Sequence, residues 1–141
     1  MGKAIVAMYK DLMGAIAKAQ DGSGLWFQIL DMPGEPGNYL EESASAVFAY
    51  AFFKGMRMGM LSPADFALPA EKALAGIRDH FVSRDAEGRI HVGGTCKVAG
   101  LGGRPYRDGS YGYYMSEPVV SDDYKGTGPL ILALCEACMK A

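Results

Sequence analysis

The sequence has no basic block and no surplus of positive charge. Its 14 Lys and Arg are scattered among 16 Asp and Glu, for a formal net charge of −2. A nucleic-acid partner is therefore not expected, because a phosphate backbone is gripped by clustered cations. No apolar run is long enough to span a bilayer, and the start lacks the long hydrophobic segment of a secretion signal. These absences predict a soluble, cytoplasmic chain with no membrane partner. Cysteine is scarce too: Cys96, Cys135 and Cys138 do not make a disulfide framework. Cys135 and Cys138 form a C-x-x-C, but inside the helical pattern LILALCEACMK and not at a redox loop. A zinc site could be assembled on paper from the three thiols and His91, yet buried thiols in an apolar helix account for the pair better. No metal or other cofactor is assigned.

What is present is a globular composition: half of the 141 residues are apolar and 21% are charged, enough for one domain over residues 1–141 with a modest core. The most unusual stretch is 93–118, GGTCKVAGLGGRPYRDGSYGYYMSEP, which holds seven of the 19 glycines and four of the 8 tyrosines. Glycine costs roughly 1 kcal/mol per interior helical position and proline more, so the stretch reads as a long loop and not as a regular helix. Long loops in compact domains are usually functional or disordered, and tyrosines with Val98 and Leu101 argue against disorder. Two readings stay open, an Ω-loop packed by its own aromatics and a sugar-binding surface of stacking rings and gripping guanidinium groups.

Around that loop the pattern is helical. Residues 3–20 place Ile5, Met8, Leu12, Ile16 and Ala19 at helical spacing and end at Asp21-Gly22-Ser23-Gly24. Residues 25–30, LWFQIL, are too short for a helix and read as extended or irregular; DMPGEPGN then makes a second loop. Asn38 with Glu41 three residues on predicts an N-cap and a helix over 39–59, apolar nearly all round and hence an inner helix. Ser62-Pro63 with Asp65 opens an outer helix to about Phe81, which Pro69 is expected to kink or split. Residues 85–88 turn into the alternating run 89–92, one arm of a small hairpin, with His91 a surface or satisfied residue. A last, largely apolar helix is expected over 126–140, with Pro129 in its first turn.

Two blocks, DGSGLWFQILDMPGEPGNYLEESASAVFAY at 21–50 and GGTCKVAGLGGRPYRDGSYGYYMSEPVVSDDYKGTG at 93–128, closely resemble glycoside hydrolase family 105, the unsaturated rhamnogalacturonyl hydrolases. They resemble more distantly the unsaturated glucuronyl hydrolases of family 88. The chain departs from the pattern at Gly112, where relatives carry an acid, and at Met32, where a basic residue is frequent. The resemblance implies an all-α fold, a partial (α/α)6 barrel of about four helices joined by long loops and corresponding to the C-terminal part of the family. It also implies a substrate, an oligosaccharide ending in a 4,5-unsaturated uronic acid, hydrolysed by protonation and hydration of the enol ether. The family's catalytic aspartate belongs to segments that precede those matched here, so no catalytic residue is carried over. The residues matched to the rim of the sugar pocket are Arg104, Tyr106, Arg107, Asp108, Tyr111, Tyr113 and Trp26. With inner helices exposed at the edges of an open barrel, the chain is expected to form a homo-oligomer or to pair with the remainder of a barrel.

Overall fold

The computed structural model describes residues 2–139. Five helices carry the fold among them: α1 Gly2–Lys18, α2 Glu42–Arg57, α3 Pro63–Phe81, α4 Tyr111–Ser116 and α5 Tyr124–Cys138. Two short antiparallel ladders accompany them, β1 Val82–Arg84 with β2 Ile90–Val92, and β3 Thr95–Cys96 with β4 Val119–Val120. No described helix is long and apolar enough to cross a membrane.

The apolar character of α2 has the expected consequence. It is the central helix, packed against both α3 and α5, and it buries Ala46, Ala49, Phe52 and Phe53. Its direction relative to its neighbours follows from end-to-end contacts. Glu42 at the start of α2 meets Gly126 at the start of α5, while Arg57 at its end forms a two-pronged ion pair with Glu136, at 2.6 and 2.9 Å. α2 and α5 are therefore parallel. α1 and α3 run the other way. Tyr9 of α1 donates to Ala51 O, while Ile16 further along α1 meets Trp26, which is tied to Ser45 earlier in α2. Phe66 early in α3 lies tilted on Phe52, while Ile77 late in α3 shares a buried cluster with Ala46. Outer and inner helices thus alternate as the sequence predicts, and the starts of both inner helices point to one end of the molecule.

Four local expectations are corrected. α2 begins at Glu42 and not at Tyr39, and its cap is Glu41, whose side chain accepts the Ala44 amide. Residues 39 and 40 are drawn into extended pairing with 26–28: the Gln28 amide donates to Tyr39 O, the Glu41 amide donates to Trp26 O, and Phe27 bridges Leu40. Tertiary pairing wins over the local cap, and Asn38 instead ties the 29–38 loop through Ile29 and Met32. Pro69 does not split the helix: α3 runs unbroken from Pro63 to Phe81 with Pro69 inside it. The glycine-rich stretch is not loop throughout, since α4 forms once the last left-handed glycine, Gly109, is passed and Ser110 caps the Tyr113 amide. Finally, Cys135 and Cys138 are exposed, because the buried stripe of α5 runs through Gly126, Leu130, Ala133 and Glu136 and leaves both thiols outside it. The end of the helix predicted at Lys140 lies outside the described residues.

The core lies under the 21–30 segment. Trp26 is wholly buried, its ring edge-on to Phe48 at 5.1 Å and tilted on Phe52 at 6.0 Å, and its indole N–H donates to Ile16 O at 2.7 Å. One side chain thereby joins α1, α2 and the first loop. Outside this core, apolar side chains remain more than half exposed on the flanks: Ile5, Met8 and Leu12 of α1, and Ile131 of α5.

Candidate functional site

The loops gather at the end where α2 and α5 start. There the 97–110 segment folds into a finger: Gly102 and Arg107 exchange both backbone hydrogen bonds, at 2.8 and 3.0 Å, around the tip 103–106. Gly102 and Gly103 both take positive φ, 71° and 82°, which a side-chain-bearing residue would adopt only with strain. Tyr106 at the tip is 80% exposed and Arg104 is exposed beside it. Among the described residues neither Arg104 nor Arg107 has a carboxylate partner. These three present free polar or aromatic groups.

The remaining sequence candidates hold the finger in place. The Tyr111 hydroxyl reaches Glu35 O and Pro36 O at 3.2 and 3.0 Å, joining the two long loops. The Tyr113 hydroxyl accepts the Gly100 amide at 3.1 Å, and burial pushes its phenol pKa up. Asp108 turns onto its own loop, accepting the Ser110 amide at 2.9 Å, a bond that holds its carboxyl below the ordinary range. Trp26 stands apart, since the core that encloses it leaves no ring face open to a ligand.

Beneath the finger lies a cleft of about 330 Å³ lined by Gln28, Glu41, Ser43, Cys96, Val98 and Lys125, among others. Glu41 is fully engaged there. It takes the Ala44 amide at 2.6 Å, the Cys96 amide at 2.8 Å and the Ser43 hydroxyl at 2.9 Å. Lys125 extends along the wall with its ammonium 3.2 Å from Cys96 O. Behind the cleft Glu42 is wholly buried at the junction of α2, β3 and α5. One of its oxygens accepts the Thr95 hydroxyl at 2.9 Å and the other has no partner among the described residues. Burial pushes this carboxyl up to about 7, against the opposing pull of the Thr95 bond. Position 126 must be glycine here: a Cβ would lie 1.8 Å from Glu42 Oε2 and 2.4 Å from Thr95 Oγ1.

Gln28, Ser43 and Lys125 were not singled out by the sequence, although all three lie in the two blocks quoted above. Their convergence across residues 28, 43 and 125 has no local signature. Two other clefts, of about 450 and 510 Å³, lie away from this end and are lined mainly by apolar side chains of α2, α3 and α5. The cysteines and His91 do not converge, and among the described residues no group of three or more His, Cys, Asp or Glu could hold a metal ion.

The chain is 46% identical over 135 residues to Protein Atu3128 of Agrobacterium fabrum, a match spanning 92% of this chain and 58% of that protein. It is 37% identical over 84 residues to the unsaturated rhamnogalacturonyl hydrolase YesR of Bacillus subtilis, covering 60% of this chain and 22% of that one. Among solved structures, a family 105 glycoside hydrolase of C. acetobutylicum superposes with a TM-score of 0.86 at 41% identity, over 91% of this chain and 36% of that chain. A possible family 105 member from Salmonella enterica superposes with a TM-score of 0.71 at 34% identity, over 89% and 29%. The helical architecture is thus a partial barrel of the kind the resemblance implied, and the chain spans 58% of the Agrobacterium relative and about a third of the solved structures. The model of Glycosyl Hydrolase Family 88 matches residues 2–141, and with the family 105 structures beside it, the chain belongs to this glycoside hydrolase family.

Proposed function

We propose that the chain forms the sugar-facing rim of a hydrolase for oligosaccharides from pectic rhamnogalacturonan that end in a 4,5-unsaturated uronic acid. The chemistry is protonation of the enol ether, addition of water and opening of the hemiketal to release the neighbouring sugar. The observation that carries the reading is the finger: two arginines with no carboxylate partner among the described residues and an 80% exposed tyrosine sit on the loop whose base, at Val98 and Ala99, lines the cleft that also contains Gln28, Ser43 and Lys125. A guanidinium grips a uronate carboxylate through paired hydrogen bonds, and a tyrosine ring covers the apolar face of a pyranose. The name of the YesR relative supports the substrate class. The reaction needs an acid that keeps its proton near neutrality and touches the substrate. Glu42 meets only the first condition, because it is sealed behind Thr95 and Gly126. No residue of this chain is therefore given the role of proton donor.

The test is calorimetric titration of the chain with unsaturated rhamnogalacturonan disaccharide, with the enol absorbance followed in parallel. Binding without turnover is expected, and Arg104→Ala with Tyr106→Ala should weaken it at least tenfold, since charge-assisted bonds contribute about 1.5–3 kcal/mol. Unchanged binding by the double variant would remove the finger from the site. Turnover would place the proton donor within these 141 residues.

The uncovered flanks favour a second reading, self-association through apolar faces. Ile5, Met8 and Leu12 share one side of α1, and Ile131 and Leu134 one side of α5; contiguous patches of this kind mark interfaces. Light scattering across a dilution series should show a dimer or larger species. A monodisperse monomer throughout would dismiss this reading and leave the sugar site untouched.

A further inference from the structure

His91 is held by carboxylates at both ring nitrogens. Nδ1 lies 2.7 Å from Asp122 Oδ2 and Nε2 lies 3.2 Å from Asp85 Oδ2. A carboxylate can only accept, so both contacts are hydrogen bonds only when both ring nitrogens carry protons. The two acids come from different elements. Asp85 lies in the turn after β1, where Arg89 also grips it at 2.6 Å and in turn touches Glu87 at 3.3 Å. Asp122 lies in the bend before α5 and is the one non-glycine residue with positive φ, 59°, among those described. That bend is pinned to β2 on both sides of its peptide: the Asp122 amide donates to Val92 O at 2.7 Å, and Asp122 Oδ1 accepts the Val92 amide at 2.9 Å. One residue later Asp123 caps α5 by accepting the Lys125 amide at 2.9 Å, so the same bend sets where Lys125 enters the cleft.

We propose that His91 is a proton-operated latch between the β1–β2 turn and the bend before α5, closed when both ring nitrogens are protonated and open on the Asp85 side when one proton leaves. The asymmetry follows from the geometry. A neutral imidazole keeps one N–H, and the shorter contact to Asp122 retains it. The lone pair exposed at Nε2 then faces Asp85, which Arg89 holds in any case. The hydrogen bonds to both acids raise the pKa of His91 above the usual histidine value and lower those of Asp85 and Asp122. With the folded-state pKa of His91 raised, the contribution of the closed latch to stability is complete below about pH 6.5. It is lost as pH rises through the folded value. The inference does not depend on the sugar reading.

The experiment is a pH titration of the whole chain followed by long-range proton–nitrogen NMR of the His91 ring and by backbone amide shifts. The ring should remain doubly protonated above pH 6.5, and the Arg89 amide, bonded to Asp85, should shift with the same midpoint. Asp122→Asn should lower the midpoint more than Asp85→Asn. Asparagine tolerates positive φ and retains an acceptor for the Val92 amide, so this variant keeps the bend. A His91 midpoint at or below about 6.5, a midpoint that ignores Asp122→Asn, or an Arg89 amide blind to the titration would each overturn the latch.

Discussion

Trp26→Ala is expected to remove about 3–5 kcal/mol of stability, the range for truncating a large buried aromatic. The lower bound comes from the lost burial and the cavity left between α1, α2 and the first loop. The indole N–H adds to it, since Ile16 O loses its buried donor when the ring goes. Typical domains are stable by only about 5–15 kcal/mol, so the variant should sit near the edge of folding. Urea unfolding gives the number directly, as a fall in midpoint at nearly constant slope. Trp26→Phe separates the two parts, because it keeps most of the aromatic packing and removes only the hydrogen bond and the second ring. A loss below about 1 kcal/mol for the alanine variant would contradict the packing described.

Glu42 should make the wild-type protein less stable as pH rises from about 4.5 to about 7. Its folded-state carboxyl is raised by burial, so in that interval the native state holds a proton that the unfolded chain has released. Stability therefore falls with increasing pH, and above about 7 the full cost of a buried charge is present. At about 1.4 kcal/mol per pKa unit the fall amounts to something on the order of 3 kcal/mol. Glu42→Gln should abolish that slope. The slope, and not the absolute stability, is the diagnostic quantity, because the new amide also changes the hydrogen bonding at a site where Oε1 has no partner among the described residues. His91, whose pKa is raised by its bonds to Asp122 and Asp85, also titrates, but its part persists in Glu42→Gln and cancels in the difference. Chemical denaturation at steps from pH 4.5 to 8 makes the comparison, and an identical slope in both proteins would mean that Glu42 is solvated.

How much of this was legible in the sequence depends on whether the deciding contact is local. The α1 and α3 patterns are set by neighbours three and four residues apart, and both helices form where their apolar spacing places them. The beginning of α2 was not, because Asn38 and Glu41 spell a local cap while Phe27 and Leu40, distant in sequence, pair and hold the chain extended. An almost wholly apolar helix such as α5 conceals which face is buried, and so Cys135 and Cys138 gave no sign of being outside. At the site, the finger residues lie within one continuous stretch and could be named together. Lys125 and Ser43 could not, since only the parallel packing of α2 with α5 brings them to one cleft.

That parallel packing has a further consequence for any anion reaching this end. Two helices direct the positive ends of their peptide dipoles at the same mouth, an arrangement that ordinarily draws negative charge. Here each end is already stoppered by the protein's own acid, Glu41 on α2 and Asp123 on α5. A uronate would find the Ala44 and Lys125 amides already taken and would have to be held by exposed cationic side chains, so its grip should weaken steeply with added salt.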